Sequence, residues 1–376
     1  MYVLELGGED DRFARREAAS ACSAVRPLAA GLATARGVTD RVRTLALTHR
    51  ASRLVGRTRG EGREGVTVAD ARTLLDAASI ERESLPVVSD REGPLDDGTV
   101  AVRANDVRGL TDVSTQQVER ELGSVLVERG FAVDLDDPDH ELRALFARVA
   151  GDDGRRSNDG DDAEPGETVC AIGWLAERTD RGFGERLPSD RPFFQPGSMD
   201  PMYARALVNI AGARPGARVL DPMCGTGGVL IEASLVGADV VGSDAQWKMV
   251  RGAHENLSAA LGGAGESTDG DAGDGVGDPP VDFDVARANA TRLPFADDSC
   301  DAVVFDAPYG RQSKVVGDLE DLVTEALSEA HRVAPRCVLV ADREWDEAAE
   351  AAGWTVEDRF RHRVHRSLDR YALVLA

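Results

Sequence analysis

The chain has 376 residues, 42% of them hydrophobic and 30% charged, which is length and composition for two or three folded domains. No run approaches the roughly 20 apolar residues of a membrane helix, and the start MYVLELGGEDDRF lacks the apolar core of a secretory signal. The five cysteines (Cys22, Cys170, Cys224, Cys300, Cys337) form no CxxC pair, so neither a metal site nor a disulfide framework is expected, and a reduced cytoplasm fits.

Formal net charge is −23, and all basic residues but Lys248 and Lys314 are arginine. A surface with excess carboxylates points to a salt-adapted protein; the bland reading of the arginines is a GC-rich genome that favours their codons. In molar salt the Debye length falls to about 3 Å, so repulsion of RNA is screened and the acidic balance does not exclude a nucleic-acid partner.

Residues 2–6 alternate as a strand. Residues 10–28 read as a helix with Phe13, Ala21, Val25 and Leu28 on its apolar positions, and 42–48 as a strand. Between Arg36 and Arg63 lie eight arginines against two acids, Asp40 and Glu61. In so acidic a chain this is a basic island, and Arg50, Arg53 and Arg57 are its candidate RNA contacts; the alternative is a solvated face paired with acids elsewhere. Strand 99–104 follows. Ser114 and Gln117 then fit a capping box opening a helix through Glu128, closed by Gly130. Strands are expected at 132–135 and 141–149. Two Gly/Asp-rich segments, 151–167 and 262–280, have no apolar periodicity and read as surface insertions.

From Arg218 the pattern alternates strand and helix. Strands are expected at 219–222, 239–243, 283–288, 302–306 and 337–341, with helices near 228–236, 247–261 and 319–333 between them. Two further strands, 354–365 and 367–375, end the chain. The expectation is an α/β fold: a parallel Rossmann-like sheet with a C-terminal antiparallel hairpin, preceded by an α+β domain. The divisions are 1–150 for the front module, 151–190 for an acidic insertion and linker, and 191–376 for the rear domain.

Two strand ends carry the chemistry. DPMCGTGG begins at Asp221, and its small residues allow close backbone approach to a ligand at a helix start. A dinucleotide fingerprint would need glycine at 230, where Leu230 stands. S-adenosylmethionine (SAM) is the expected occupant, held by Asp221, Cys224, Gly225, Thr226 and Gly227. Asp244, ending the next strand, is placed for ribose hydroxyls; a helix cap is the bland reading. Asn289 and Ala290 stand where an adenine edge would lie, or Asn289 merely stabilises a turn. The second strand end is Asp306-Ala307-Pro308-Tyr309. An exocyclic amine is a poor nucleophile because its lone pair is delocalised. Asp306 and the carbonyl of Ala307 or Pro308 can accept its two protons and stabilise the developing charge. Tyr309 offers a face for an extruded base. Arg311 is a candidate phosphate contact, and 191–199 (RPFFQPGSM) a rigid segment over the cofactor.

With these motifs on the page, the chain resembles the archaeal tRNA guanosine-10 N2-methyltransferases, which join a THUMP RNA-binding domain to a class I methyltransferase domain. The resemblance rests on AVRA (101–104), EREL (119–122), VDLDDPD (133–139), the RPFFQPGSMDPMYARALVNIA run, DPMCGTGG and DAPYGR. It implies a tRNA substrate whose acceptor stem and 3′ end are held by the front half, and N2-methyl- or N2,N2-dimethylguanosine as product. Carried over by motif, it puts Asp306, Pro308 and Tyr309 around the guanine, and Asp221, Gly225, Gly227, Asp244 and Asn289 on SAM. Two departures are Ala307, where proline is commoner, and Met223, where phenylalanine is usual. A monomer is expected. The competing readings are a THUMP-type enzyme acting at position 6 of the acceptor stem, and a non-catalytic tRNA-binding chaperone.

Overall fold

The computed structural model describes residues 1–62, 65–88, 98–149, 166–262, 281–309, 319–365 and 368–376. Arg63, Arg311 and most of the two Gly/Asp-rich insertions lie outside them. The chain divides into two units, Met1–Asp180 and Arg181–Ala376.

The first unit opens with β1 (Tyr2–Leu6) and α1 (Asp11–Ala18), then β2 (Cys22–Ser23), β3 (Arg26–Ala29), β4 (Leu32–Ala35), β5 (Gly37–Val38) and β6 (Thr48–Gly60). Asp10 caps α1, accepting from Arg12 N at 2.8 Å and Phe13 N at 3.0 Å. The helix expected to reach residue 28 stops ten residues earlier. Ala24 takes a positive φ of 50°, and Leu28 is buried in a strand paired with β4. The strand expected at 42–48 is also displaced: Asp40–Thr44 is a 3-10 turn and β6 begins at Thr48. Glu17 is the cause. Fully buried, it accepts from Ala46 N at 2.6 Å and Leu47 N at 2.7 Å, so these backbone donors bond a carboxylate instead of a neighbouring strand.

The unit continues with α2 (Val68–Asp76), β7 (Thr99–Asp106), α3 (Thr115–Glu128), β8 (Ala132–Val133), β9 (His140–Arg148) and β10 (Thr168–Arg178). Thr67 and Asp70 form a reciprocal capping box on α2, an element absent from the sequence reading. Ser114 caps α3, accepting from Gln117 N at 3.4 Å, which is one half of the expected capping box, and Gly130 follows the helix at φ 84°. The main sheet runs β3-β4-β1-β6-β10-β9-β7-β8. Its centre includes β10, in the segment read as linker. Val169, Cys170, Ala171, Ile172 and Leu175 are fully buried there, as a strand covered on both faces requires.

The second unit contains α4 (Pro201–Ala211), β11 (Arg218–Asp221), α5 (Gly228–Ser234), β12 (Asp239–Asp244), α6 (Trp247–Gly262), β13 (Phe283–Arg287), β14 (Ala302–Asp306), α7 (Leu319–Val333), β15 (Cys337–Ala341), α8 (Asp346–Ala351), β16 (Val356–His365) and β17 (Leu368–Leu375). The order is β13-β12-β11-β14-β15-β17-β16, parallel except for β17 and β16. The chain leaves β11 toward β12 and β13, then returns to β14 on the other side of β11. That reversal opens a crevice at the carboxyl ends of β11 and β14, where doubly wound sheets bind ligands. One core packs α7 residues Val323, Ala326, Leu327 and Ala330 on Phe305, Leu339 and Leu373 of the sheet. Among the described residues no helix is long and apolar enough to cross a membrane.

Candidate active site

The crevice is built from strand ends. Asp221 closes β11, and the chain then turns through Gly225 at φ 52° and Gly227 at φ 80° into α5. A side chain at Gly227 would be strained by its backbone and would meet the Ala253 methyl at 3.2 Å. Asp221 is 2% exposed and accepts from Met223 N at 3.0 Å. Burial, assisted by the charges of Asp306 and Asp244, pushes its carboxyl well above the ordinary range. Burial also raises the Cys224 thiol, leaving a neutral small side chain under the loop.

Asp244, ending β12, accepts from Gly225 N at 3.2 Å and from Gln246 N at 2.8 Å. It thus ties the glycine loop to the next strand, with lone pairs to spare on each oxygen. Asn289 is exposed and accepts from Thr291 N at 3.1 Å, the turn contact weighed as the bland reading; Ala290 beside it is buried. Thr226 shares a hydroxyl hydrogen bond of 3.1 Å with Ser198.

Sequence reasoning missed the residue that holds the 191–199 segment over this loop. Asn256 of α6 is 2% exposed. It accepts from Phe193 N at 2.9 Å and donates to Phe193 O at 2.8 Å and Thr226 O at 2.9 Å. Phe193 in turn occupies the space over Gly252, where a Cβ would come within 1.9 Å of its ring.

The second wall is the tetrad after β14. The Tyr309 hydroxyl donates to Asp306 Oδ1. Arg370 Nε donates to the Tyr309 oxygen at 3.0 Å, and Arg370 Nη2 stands 3.6 Å from Asp306 Oδ2. Burial drives the Asp306 carboxyl up to about 6, against the opposing pull of Arg370 and the Tyr309 hydrogen bond. Its side chain keeps 23% of its surface exposed, so a substrate can reach it. Burial also raises the Tyr309 phenol, which stays protonated at any working pH. Arg370 was not singled out in the sequence. Its one signal is a basic residue in step with Ala372 and Val374, buried positions of the same strand.

Asp221, Asp244 and Asp306 therefore converge in one crevice with the glycine loop and Tyr309. Pro308 follows Asp306 and Ala307 along the same wall, with Ala307 buried. Among the described residues no group of three or more His, Cys, Asp or Glu is placed to hold a metal ion.

The basic island does not form one patch. In the first unit Arg50 lines a cavity of about 250 Å³ with Arg103, Arg143 and Arg178. Asp136, Asp137 and Glu141 line it too, and Glu5 binds Arg143 at 2.9 Å, so the charges nearly cancel. Arg53 donates to the Ser84 carbonyl. Arg57 is exposed on β6.

The family model for the RMKL-like methyltransferase domain matches residues 188–274 and 276–372. The tRNA (guanine(10)-N2)-dimethyltransferase of Methanothermobacter thermautotrophicus is 34% identical over 281 residues, 73% of this chain and 72% of that protein. The enzyme of the same name from Pyrococcus abyssi is 30% identical over 287 residues, 74% of each. TrmN from Thermus thermophilus, a solved structure, aligns with 100% of this chain and 98% of its own at 20% identity and a TM-score of 0.47. The glycine loop and the Asp306 tetrad thus sit within a matched methyltransferase domain, and the chain belongs to the tRNA (guanine(10)-N2)-dimethyltransferase family.

Proposed function

We propose that this protein is a SAM-dependent tRNA guanine-N2-methyltransferase that acts on guanosine 10 in the cytoplasm. The observation that carries the reading is the juxtaposition of the glycine loop after β11 with Asp306-Ala307-Pro308-Tyr309 after β14, neighbouring parallel strands at the reversal of the sheet. The names of the two relatives support the substrate and the position.

The crevice fits the cofactor: left-handed glycines at 225 and 227 leave the loop without side chains there, and buried Asp221 with half-buried Asp244 and Asp306 lines it. When bound, SAM supplies an electrophilic methyl group. Gly225 and Gly227 let the backbone approach the cofactor, while Asp221 and Asp244 hold its polar groups. Ser198 and Phe193 cover the loop. Asp306 and the carbonyl of Ala307 or Pro308 accept the guanine amine protons, localising the nitrogen lone pair and stabilising the positive charge that develops on it. The proton released from nitrogen passes to Asp306 Oδ2, whose basicity burial has raised. Pro308 fixes the turn and Tyr309 flanks the base. The front unit binds the tRNA.

The test is transfer from labelled SAM to unmodified tRNA transcripts in molar KCl, with mass spectrometry of the nucleosides. N2-methylated or N2,N2-dimethylated guanosine that disappears when guanosine 10 is replaced supports the proposal. Methylation that survives the replacement points first to position 6 of the acceptor stem. A folded, SAM-binding protein that methylates no tRNA leaves the binding-only reading. Asp306→Ala is expected to lower the rate by about 100-fold or more while tRNA binding persists.

A further inference from the structure

Arg370 stands beside the tetrad and is buried, with 4% of its surface exposed. It lies on β17, two strands from Asp306: β17 pairs with β15, and β15 with β14. Its guanidinium ties β17 to two other stretches of chain, the tetrad and the 191–199 segment. Nε donates to the Tyr309 hydroxyl at 3.0 Å, Nη2 donates to the Gly197 carbonyl at 3.2 Å, and Nη2 lies 3.6 Å from Asp306 Oδ2.

The direction of these bonds matters. Arginine has donors only. A tyrosine oxygen that accepts from Arg370 must spend its single proton elsewhere, and that proton points at Asp306 Oδ1. Reversing the Tyr309–Asp306 bond would need a protonated Asp306, and the nearby guanidinium disfavours that state.

We propose that Arg370 is a positioning residue for methyl transfer: it orients the Tyr309 proton onto Asp306 Oδ1 and so reserves ionised Asp306 Oδ2 for the guanine amine. The inference rests on the proposed reaction and concerns the same site. It assigns Tyr309 a second task besides offering its face, because its hydroxyl links Arg370 to Asp306. Other ionisable groups around Asp306 act against the cation. Asp342, after β15, is a like charge, and Asp221, on β11, is a carboxyl whose own ionisation burial and Asp306 oppose. Tyr203 of α4, stacked on His362 at 4.7 Å, is a buried neutral phenol whose own ionisation Asp306 opposes. Among the described residues Arg370 is the cation that favours the charged form of Asp306.

The experiment compares full-length wild type, Arg370→Met, Arg370→Lys, Tyr309→Phe and the Arg370→Met/Tyr309→Phe double variant. It measures single-turnover rate against pH, SAM and tRNA affinities, and thermal midpoint. Arg370→Met is expected to lower the single-turnover rate at saturation about 10- to 100-fold, with SAM and tRNA affinities changed less than about 3-fold. Its acid limb moves up by about one pH unit, because removing the cation favours protonated Asp306. Arg370→Lys keeps the charge without the planar fork, so it restores the limb and only part of the rate. The double variant is no slower than the slower single variant, because both changes break the same link.

An Arg370→Met enzyme with wild-type rate and limb overturns the inference, as do losses that multiply in the double variant. If Arg370→Met fails to fold, Tyr309→Phe and Arg370→Lys decide: an unmoved limb in Tyr309→Phe together with full rate in Arg370→Lys refutes the link. Wild type that methylates no guanine would sink the proposed reaction itself, an outcome distinct from all of these.

Discussion

Gly227 turns the chain at φ 80° with the Ala253 methyl beneath it. Gly227→Ala is therefore expected to cost about 1–2 kcal/mol in backbone strain alone and to weaken SAM binding, read as a lower thermal midpoint and a higher Kd by calorimetry. An unchanged Kd would show that the loop's backbone does not hold the cofactor. Asp306 gives the pH dependence at the same scale. In the proposed reaction its ionised form accepts the amine protons, and burial raises its transition to about 6. The rate should therefore fall as pH drops below about 6, and a rate flat to pH 4.5 would remove Asp306 from that role. Asp221, Asp244, Asp306 and Tyr309 were legible because each stands at a strand end in a recognisable run. Arg370 was not, because the partners that give it meaning lie 61 and 173 residues away in the chain.

At the scale of elements, the latch of Asn256 couples α6 to both the glycine loop and Phe193. Asn256→Ala leaves buried backbone groups without partners, each costing about 1–3 kcal/mol. The expected result is a lower urea midpoint and a raised SAM Kd, with tRNA affinity unaffected. Equal loss of tRNA binding would mean that the latch serves the whole fold instead of the cofactor crevice. Gly252→Leu should act through the same contact by driving Phe193 off α6. Strands β14 and β15 and helix α7 match the sequence reading residue for residue, since apolar positions of all three pack into one core. Helices α4 and α8 were not anticipated. Almost every residue of α4 is buried, which erases the 3.6-residue alternation that marks a surface helix.

Across the whole molecule the net charge of −23 sets the response to salt. Like charges repel in the folded state, and salt screens them. The thermal midpoint is expected to rise steadily between 0.1 and 2 M KCl, and a midpoint that falls with added KCl would argue against the salt-adapted reading. The basic island shows how far composition reaches. The arginine count is real, but Arg50 belongs to a cavity with nearly balanced charges, Arg53 holds the Ser84 carbonyl, and Arg57 is exposed. Arg57→Ala is therefore expected to weaken tRNA binding more than Arg53→Ala in matched salt, by filter binding. Equal effects would mean that exposure on β6 is not what matters.

The class of fold in the rear half, the glycine loop after β11 and the tetrad at the end of β14 can be read from the chain alone. These depend on local rules: strand period, glycine at left-handed turns, and residue types fixed at strand ends. Only the tertiary structure decided that β10 lies at the centre of the first sheet, that the buried carboxylate of Glu17 displaces the start of β6, and that Arg370 reaches the tetrad from the last strand. In each case the deciding contacts are distant in sequence: β10 buries apolar side chains between its neighbours, while Glu17 and Arg370 lose water and recover hydrogen bonds from partners that are in place only once the chain has folded.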